Sequence, residues 1–215
     1  MGERADLPNS KEIIHMPKLL WRGPSVLDGK PLVVLTPSDP RSRNAKTGGM
    51  LQTYILRDDI HPSFAVQNGE DFSICGDCRH RGNGLGSHRS CYVQVQNGPA
   101  SLWKAYDRRR DLLTPMTETE LVELGTEHLV RLGAYGDPAA APPQLWATLL
   151  QNAKGWTGYT HQWRTAPDLQ QWCMASADSD EEARVAQALG WRTFRVKNDT
   201  DPSTADEITC PASAE

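Results

Sequence analysis

From about residue 128 onward, apolar runs of strand length alternate with apolar positions at helical spacing. His128–Tyr135 predicts a strand. Pro142-Pro143 opens a helix that places Leu145, Trp146, Leu149, Leu150 and Ala153 on one face, and Gly155 ends it. Trp156–His161 predicts the next strand, and Asp168–Trp172 is a short helical segment leading into a strand over Cys173–Ala177. Ser179 and Glu182 have the spacing of a capping box for a helix closed by Gly190, and Trp191–Val196 is the last strand. Short helices between short strands imply parallel crossovers. The expected class is α/β, a partial or distorted (β/α) barrel with mainly parallel strands.

The first half is less regular. Residues 1–48 read as an irregular N-terminal arm, rich in Pro, Gly, Ser and Asp, with Leu32–Leu35 its one strand-like run. Met50–Arg57 predicts a strand, as do Phe72–Cys75 and the alternating Cys91–Gln96. Residues 99–110 predict a helix with Leu102, Trp103 and Tyr106 on one face. Thr117 and Glu120 form a second capping-box pattern, for a helix ending near Gly125. The expected domain is 49–198, including a cysteine loop over 75–91, followed by a polar tail over 199–215.

Composition narrows the class. The chain has 215 residues, 38% hydrophobic and 23% charged, with seven Trp and a net charge of −4. The mild acidity argues against a general nucleic-acid coat or a membrane-surface protein. No apolar run reaches the roughly 20 residues that span a bilayer, and Met1–Ser10 is polar, unlike a secretory signal. The five cysteines are odd in number and include a C-x-x-C, a use of thiols that fits a reducing cytoplasm.

Cys75-Gly76-Asp77-Cys78 followed by Cys91 is the strongest chemical signal. Two thiols two residues apart can face one inorganic centre from a tight turn, and Cys91 arrives from the next segment. His80 and His88 compete for a fourth position, and we assign His88. Zinc or an iron–sulfur cluster fits these donors. A second set lies at predicted strand ends: Asp137, His161, Arg164 and Asp178 as catalytic candidates, with His161 the proton-transfer group. Ser179, at a helix N-terminus, is a candidate anion-binding contact for a cofactor, although its N-cap role alone accounts for it. Arg79, Arg81, Arg89, Lys104 and Arg108–Arg110 could grip phosphate or form a solvated helix face. Cys173 reads as core.

The cysteine motif ending in Cys91-Tyr92, with Gly133–Pro138, Gly158–Trp163 and Cys173–Ser176, resembles a group of uncharacterised bacteriophage proteins. That group combines an early cysteine motif with an αβ-barrel body similar to radical-SAM enzymes, and the likeness runs from about residue 44 onward. The resemblance implies a phage-type metalloprotein in the host cytoplasm, binding an iron–sulfur cluster or zinc through Cys75, Cys78 and Cys91. It also implies that related chains continue with further cysteines beyond Cys210. The radical-SAM motif is C-x-x-x-C-x-x-C. Here C-x-x-C precedes a twelve-residue gap, a departure that weighs against S-adenosylmethionine as cofactor. The rival expectation is a non-enzymatic zinc-stabilised module that binds nucleic acid or inhibits a host protein.

Overall fold

The computed structural model describes residues 16–39, 48–82, 88–198, 200–204 and 207–210. Five strands form one sheet in chain order: β1 (Lys18–Pro24), β2 (Pro31–Thr36), β3 (Leu51–Arg57), β4 (Leu129–Tyr135) and β5 (Gly155–Thr157). β6 (Tyr159–Thr160), β7 (Met174–Ala177) and β8 (Thr193–Arg195) form a second. The pairs β1–β2 and β2–β3 are antiparallel, and every later pair is parallel. Only Gly158 separates β5 from β6. A Cβ there would lie 2.8 Å from the Cys173 sulfur and 3.1 Å from Leu132 Cβ, so the chain changes sheet where no side chain fits.

Burial explains the strand assignments. In β2, Leu32–Thr36 are all buried, as expected of a strand covered on both faces. β4 instead alternates over Leu129–Leu132. Among the described residues, four α-helices lie between β3 and β4: α1 (Pro62–Asn68), α2 (Phe72–Cys75), α3 (Gly98–Asp107) and α4 (Glu118–Thr126). Then α5 (Pro143–Leu150) precedes β5, and α6 (Asp180–Ala188) precedes β8. Thr117 and Glu120 close the expected reciprocal capping box on α4. At Gly125 an added Cβ would sit 1.9 Å from the Leu149 carbonyl oxygen, so glycine sets the α4–α5 approach. Two indoles are buried with their N–H groups partnered: Trp146 donates to the Pro138 carbonyl at 2.9 Å and Trp163 to the Ser176 carbonyl at 3.2 Å.

Several expectations need correction. Residues 18–36, expected in the irregular arm, form the β1–β2 hairpin, and Leu19, Leu20 and Leu32–Leu35 belong to the core. The Pro/Gly/Asp-rich composition there marks the turn between the strands rather than an arm. Of the rest of the arm, 1–15 and 40–47 lie outside the described residues. Phe72–Cys75 is a helical turn, closed by Cys75 N to Asp71 O at 2.9 Å and Gly76 N to Phe72 O at 2.8 Å. Cys91–Gln96 is not a strand. Arg89 Nη1 donates to the carbonyls of Cys91 and Val93, both at 3.1 Å, where a neighbouring strand would otherwise bond. The class is α/β with a mostly parallel sheet, and the described residues do not close a barrel. The polar tail has no helix or strand where it is described, and Arg195 ties it to β8 by pairing with Glu207 and donating to the Pro202 carbonyl. No helix among the described residues is long and apolar enough to cross a membrane.

The hairpin's place in the core has a measurable consequence. Leu35, fully buried in β2, should cost about 2–5 kcal/mol when replaced by Ala, read as a lowered midpoint in chemical denaturation. A loss below about 0.5 kcal/mol, as at a surface position, would show that β2 is not part of the cooperative core.

Candidate metal centre

The site forms where the cysteine loop docks on the C-terminal ends of β4, β6 and β7. Gly136, just past β4, has φ 83°, and a Cβ there would lie 2.7 Å from Ile55 Cβ. That turn delivers Asp137 N to the Ile74 carbonyl at 2.6 Å, joining the strand end to α2. The Asp137 carboxylate is buried. Oδ1 accepts from Thr160 Oγ1 at 2.7 Å and from Ala139 N at 3.0 Å, and Oδ2 accepts from His161 N at 2.8 Å. Burial raises its pKa, against the lowering effect of these hydrogen bonds. Asp137 was expected to face a catalytic pocket. It is instead a fixed clamp that sets the backbone of β6 and His161.

The loop is held equally firmly. Gln162 Nε2 donates to the Cys75 carbonyl at 3.2 Å, and its amide fills the space beside Gly76, where φ is 56°. Arg81 donates to Asp71 Oδ1 at 2.7 Å, to the Gly69 carbonyl at 3.2 Å and to the Gly76 carbonyl at 3.0 Å. The His80 carbonyl accepts from Ser90 N and Cys91 N, which brings Cys91 back beside the C-x-x-C.

Three donor atoms then converge. His80 Nε2 lies 2.8 Å from Asp178 Oδ1, and His161 Nε2 lies 3.7 Å from the same oxygen. Ligand atoms of all three residues fall within 4.8 Å of one another, a separation that one ion can bridge. Cys78 Sγ is 3.9 Å from His161 Nε2. His80 Nδ1 is 2.8 Å from Ser90 Oγ, and Arg79 Nε is 3.2 Å from Asp178 Oδ2, so the ligands have outer partners that orient them. Burial disfavours a charged His161, yet its polar contacts with Asp178 and Cys78 and their charges outweigh it and raise its pKa to about 10. Asp178 is also disfavoured by burial, but the two imidazoles bring its pKa down to about 2.

The other candidates divide. Cys75 keeps some exposed surface as a residue. Burial of its thiol, with the nearby negative charges of Asp71, Cys78, Cys91 and Asp137, pushes its pKa well up. The sulfurs of Cys75, Cys78 and Cys91 are therefore electrostatic neighbours, but they do not all lie within 4.8 Å of one another, so a site for one ion on the three thiols is not preassembled. His88 is exposed, and of the two loop histidines it is His80 that meets Asp178, in a set without the three cysteines. Arg164 lies outside, stacked 3.8 Å over the Trp163 ring and paired with Glu182 at 3.2 Å. Ser179 Oγ caps α6 by accepting from Glu182 N at 3.1 Å, and Asp180, Glu181 and Glu182 in the first turn work against an anion there. Much of the basic stretch is engaged internally: Arg79 with Asp178, Arg81 with Asp71, Arg89 with backbone carbonyls and Arg110 with Asp107. Cys173 is core, as expected, and Cys210 is half-buried in the tail.

Sequence reasoning did not find the wall behind the thiols. Asp71 Oδ2, Arg89 Nε and Tyr135 OH are buried without hydrogen-bond partners, three of five such side-chain atoms among the described residues. Tyr135 feels the charges of Cys75, Asp71, Arg89 and Cys91 together. Each such orphan costs about 1–3 kcal/mol if nothing meets it.

No family model matches the chain, and no curated protein or solved structure matches it either.

The ionic pairing sets a pH dependence for the metal-free protein. The raised His161 pKa contributes stability that is complete below its ordinary value of 6.5 and is lost as pH climbs through about 10. The lowered Asp178 pKa contributes stability present above 3.8 and lost as pH falls through about 2. Histidine NMR titration of chelator-treated protein should find His161 still protonated at about pH 8, and Asp178→Asn should bring its midpoint down. A His161 midpoint near the ordinary value in the unmutated chain would contradict the pairing.

Proposed function

We propose that this protein is a metalloprotein whose centre is a transition-metal ion held by Nε2 of His80, Nε2 of His161 and a carboxylate oxygen of Asp178. The observation that carries this reading is the convergence of those three ligand atoms at the strand C-termini. Two imidazoles and one carboxylate suit zinc or iron(II), whereas magnesium and calcium prefer all-oxygen surroundings. Three protein ligands leave coordination positions open, the pattern of catalytic rather than structural sites. Such an ion supplies Lewis acidity and an acidified bound water when present. Around it, Asp137 fixes the His161 backbone, Ser90 orients His80 and Arg79 holds the second oxygen of Asp178.

The parallel strands lie in chain order within each sheet, β3 to β5 in one and β6 to β8 in the other, an order that an opened (β/α) barrel would share. In that architecture the loops after the strand C-termini carry the chemistry, which supports an enzymatic centre at this rim. A second reading rests on Cys78, 3.9 Å from His161 Nε2. If its thiolate completes the set, the site closes and the ion pins the loop, as in a zinc-stabilised binding module.

Metal analysis of protein purified anaerobically and loaded with zinc or iron(II) tests both. The expected result is about one ion per chain, with affinity at least about 10-fold weaker in His161→Ala or Asp178→Ala and unchanged in Cys91→Ser. Loss of the ion in Cys78→Ser as well would favour the closed site. Failure of the unmutated chain to hold either metal would overturn the proposal.

A further inference from the structure

The loop arginines are not equally committed. Arg81 is held by Asp71, and Arg89 by backbone carbonyls. Arg79 keeps 63% of its side chain exposed and is anchored at one point, with Nε 3.2 Å from Asp178 Oδ2. No described residue accepts a hydrogen bond from its four Nη–H groups. The other oxygen of that carboxylate, Oδ1, is the one His80 and His161 approach. A free guanidinium edge therefore stands beside the donor set. The two imidazole side chains are each 21% exposed, so the set is reachable from solvent. Charge favours an anion there. With an ion bound, the metal and Arg79 are positive and face the single negative charge of Asp178. The acids at the start of α6 are mostly drawn elsewhere: Glu182 pairs with Arg164 at 3.2 Å and Asp180 with Arg184, which leaves the exposed Glu181. On the inner side, the Asp137 carboxylate is enclosed by its three donors.

We infer that the substrate of this centre carries a terminal phosphoryl group. One of its oxygens takes an open position on the ion, and the others accept from the Nη groups of Arg79. The inference rests on the open form of the ion site, in which Cys78 is not a ligand. The planar fork of an arginine takes two oxygens of a carboxylate or a phosphoryl group. A carboxylate has only two, so one gripped in this way has none left for the ion. A terminal phosphoryl group has three, enough to fill the fork and still reach an open coordination position. Its charge, about −1.5 to −2 at neutral pH, offsets the local positive excess better than a carboxylate does. Arg79 then has two edges with two tasks. Nε holds Asp178, and the Nη edge selects the substrate. Lysine could supply the charge but not the fork. Arg164 does not offer the same edge, because it lies stacked on Trp163 and paired with Glu182.

The test uses the full chain saturated with cobalt(II), whose visible spectrum responds to a change of ligand. Phenyl phosphate, inorganic phosphate and acetate are titrated in turn. Saturable spectral change is expected with phenyl phosphate and phosphate, each binding at least about 10-fold more tightly than acetate, the scale of one added charge-assisted hydrogen bond. Tighter binding of phenyl phosphate than of phosphate identifies an ester as the ligand, and the reverse order identifies the free anion. Both orders support the phosphoryl site. Arg79→Gln, a change at an exposed side chain, should fold and load with cobalt yet bind phenyl phosphate at least about 10-fold more weakly. Arg79→Lys should recover only part of that loss. The affinities are read at cobalt saturation, so a purely orienting role for Arg79 on Asp178 would alter cobalt uptake and leave phosphate binding unchanged. That result overturns the inference, as does a spectrum indifferent to both phosphates or acetate binding as tightly as phosphate. In each of these cases the ion reading stands. Absence of cobalt uptake by the unmutated chain overturns the ion reading and this inference together.

Discussion

Asp137 holds together parts of the chain that sequence keeps far apart. Its amide bonds the Ile74 carbonyl in the cysteine segment, and its carboxylate collects Thr160 Oγ1, the His161 amide and the Ala139 amide. A buried carboxylate with several strong donors is stable only while all of them stay in place. The loop, the end of β4 and the end of β6 are thus fixed relative to one another by groups that never need to touch a ligand. Gly136 allows this by bringing the backbone against Ile55 where a side chain would collide. Positioning His161 is a backbone matter first, and its imidazole then reaches to 3.7 Å from Asp178 Oδ1.

The same frame explains how a mildly acidic chain with many arginines can gather carboxylates and thiols at one rim. Arg81 and Arg79 lie on the carboxylates nearest the loop, Asp71 and Asp178, at 2.7 and 3.2 Å. Removing those carboxylates from water without such partners would cost several kcal/mol, on the order given for uncompensated buried charge. Arg79, Arg81 and Arg110, which look like part of a phosphate-binding stretch in the sequence, are counter-charges in three dimensions.

Legibility in the sequence followed periodicity. The strands β3, β4 and β7 were readable as short apolar runs, and the helices α3, α5 and α6 by apolar positions at helical spacing, with a capping residue before α4 and α6. The β1–β2 hairpin was hidden by its turn-rich composition and by a partner, β3, in another segment. Cys91–Gln96 alternated like a strand, but alternation does not supply a neighbour, and Arg89 bonds the carbonyls instead. In the site, the cysteine motif and the strand-end residues were visible as two separate signals. Their junction through His80 and Asp178 was not, because 98 residues separate the partners. The choice of His88 over His80 could not be made from spacing, since both lie within the loop. Arg164 and Ser179 looked functional by position alone, and their local partner Glu182 accounts for both.

The pairing of His80, His161 and Asp178 also bears on how the site behaves when no ion is bound. Two imidazoles and a carboxylate held close in a partly buried rim are satisfied only when protons lie between them. Here a proton on His161 and a hydrogen bond from His80 to Asp178 satisfy them, so the arrangement needs no metal to exist. Any ion that enters must displace protons from the same atoms, which couples affinity to pH and keeps the ligand geometry nearly unchanged on loading. That preorganisation limits what the ion can add to stability. The Asp137 clamp and the Arg81 ties have already fixed the ligands, so the binding energy left over can go to the open coordination positions. On this argument an ion bound there would contribute to reactivity more than to folding, as in a catalytic rather than a structural centre.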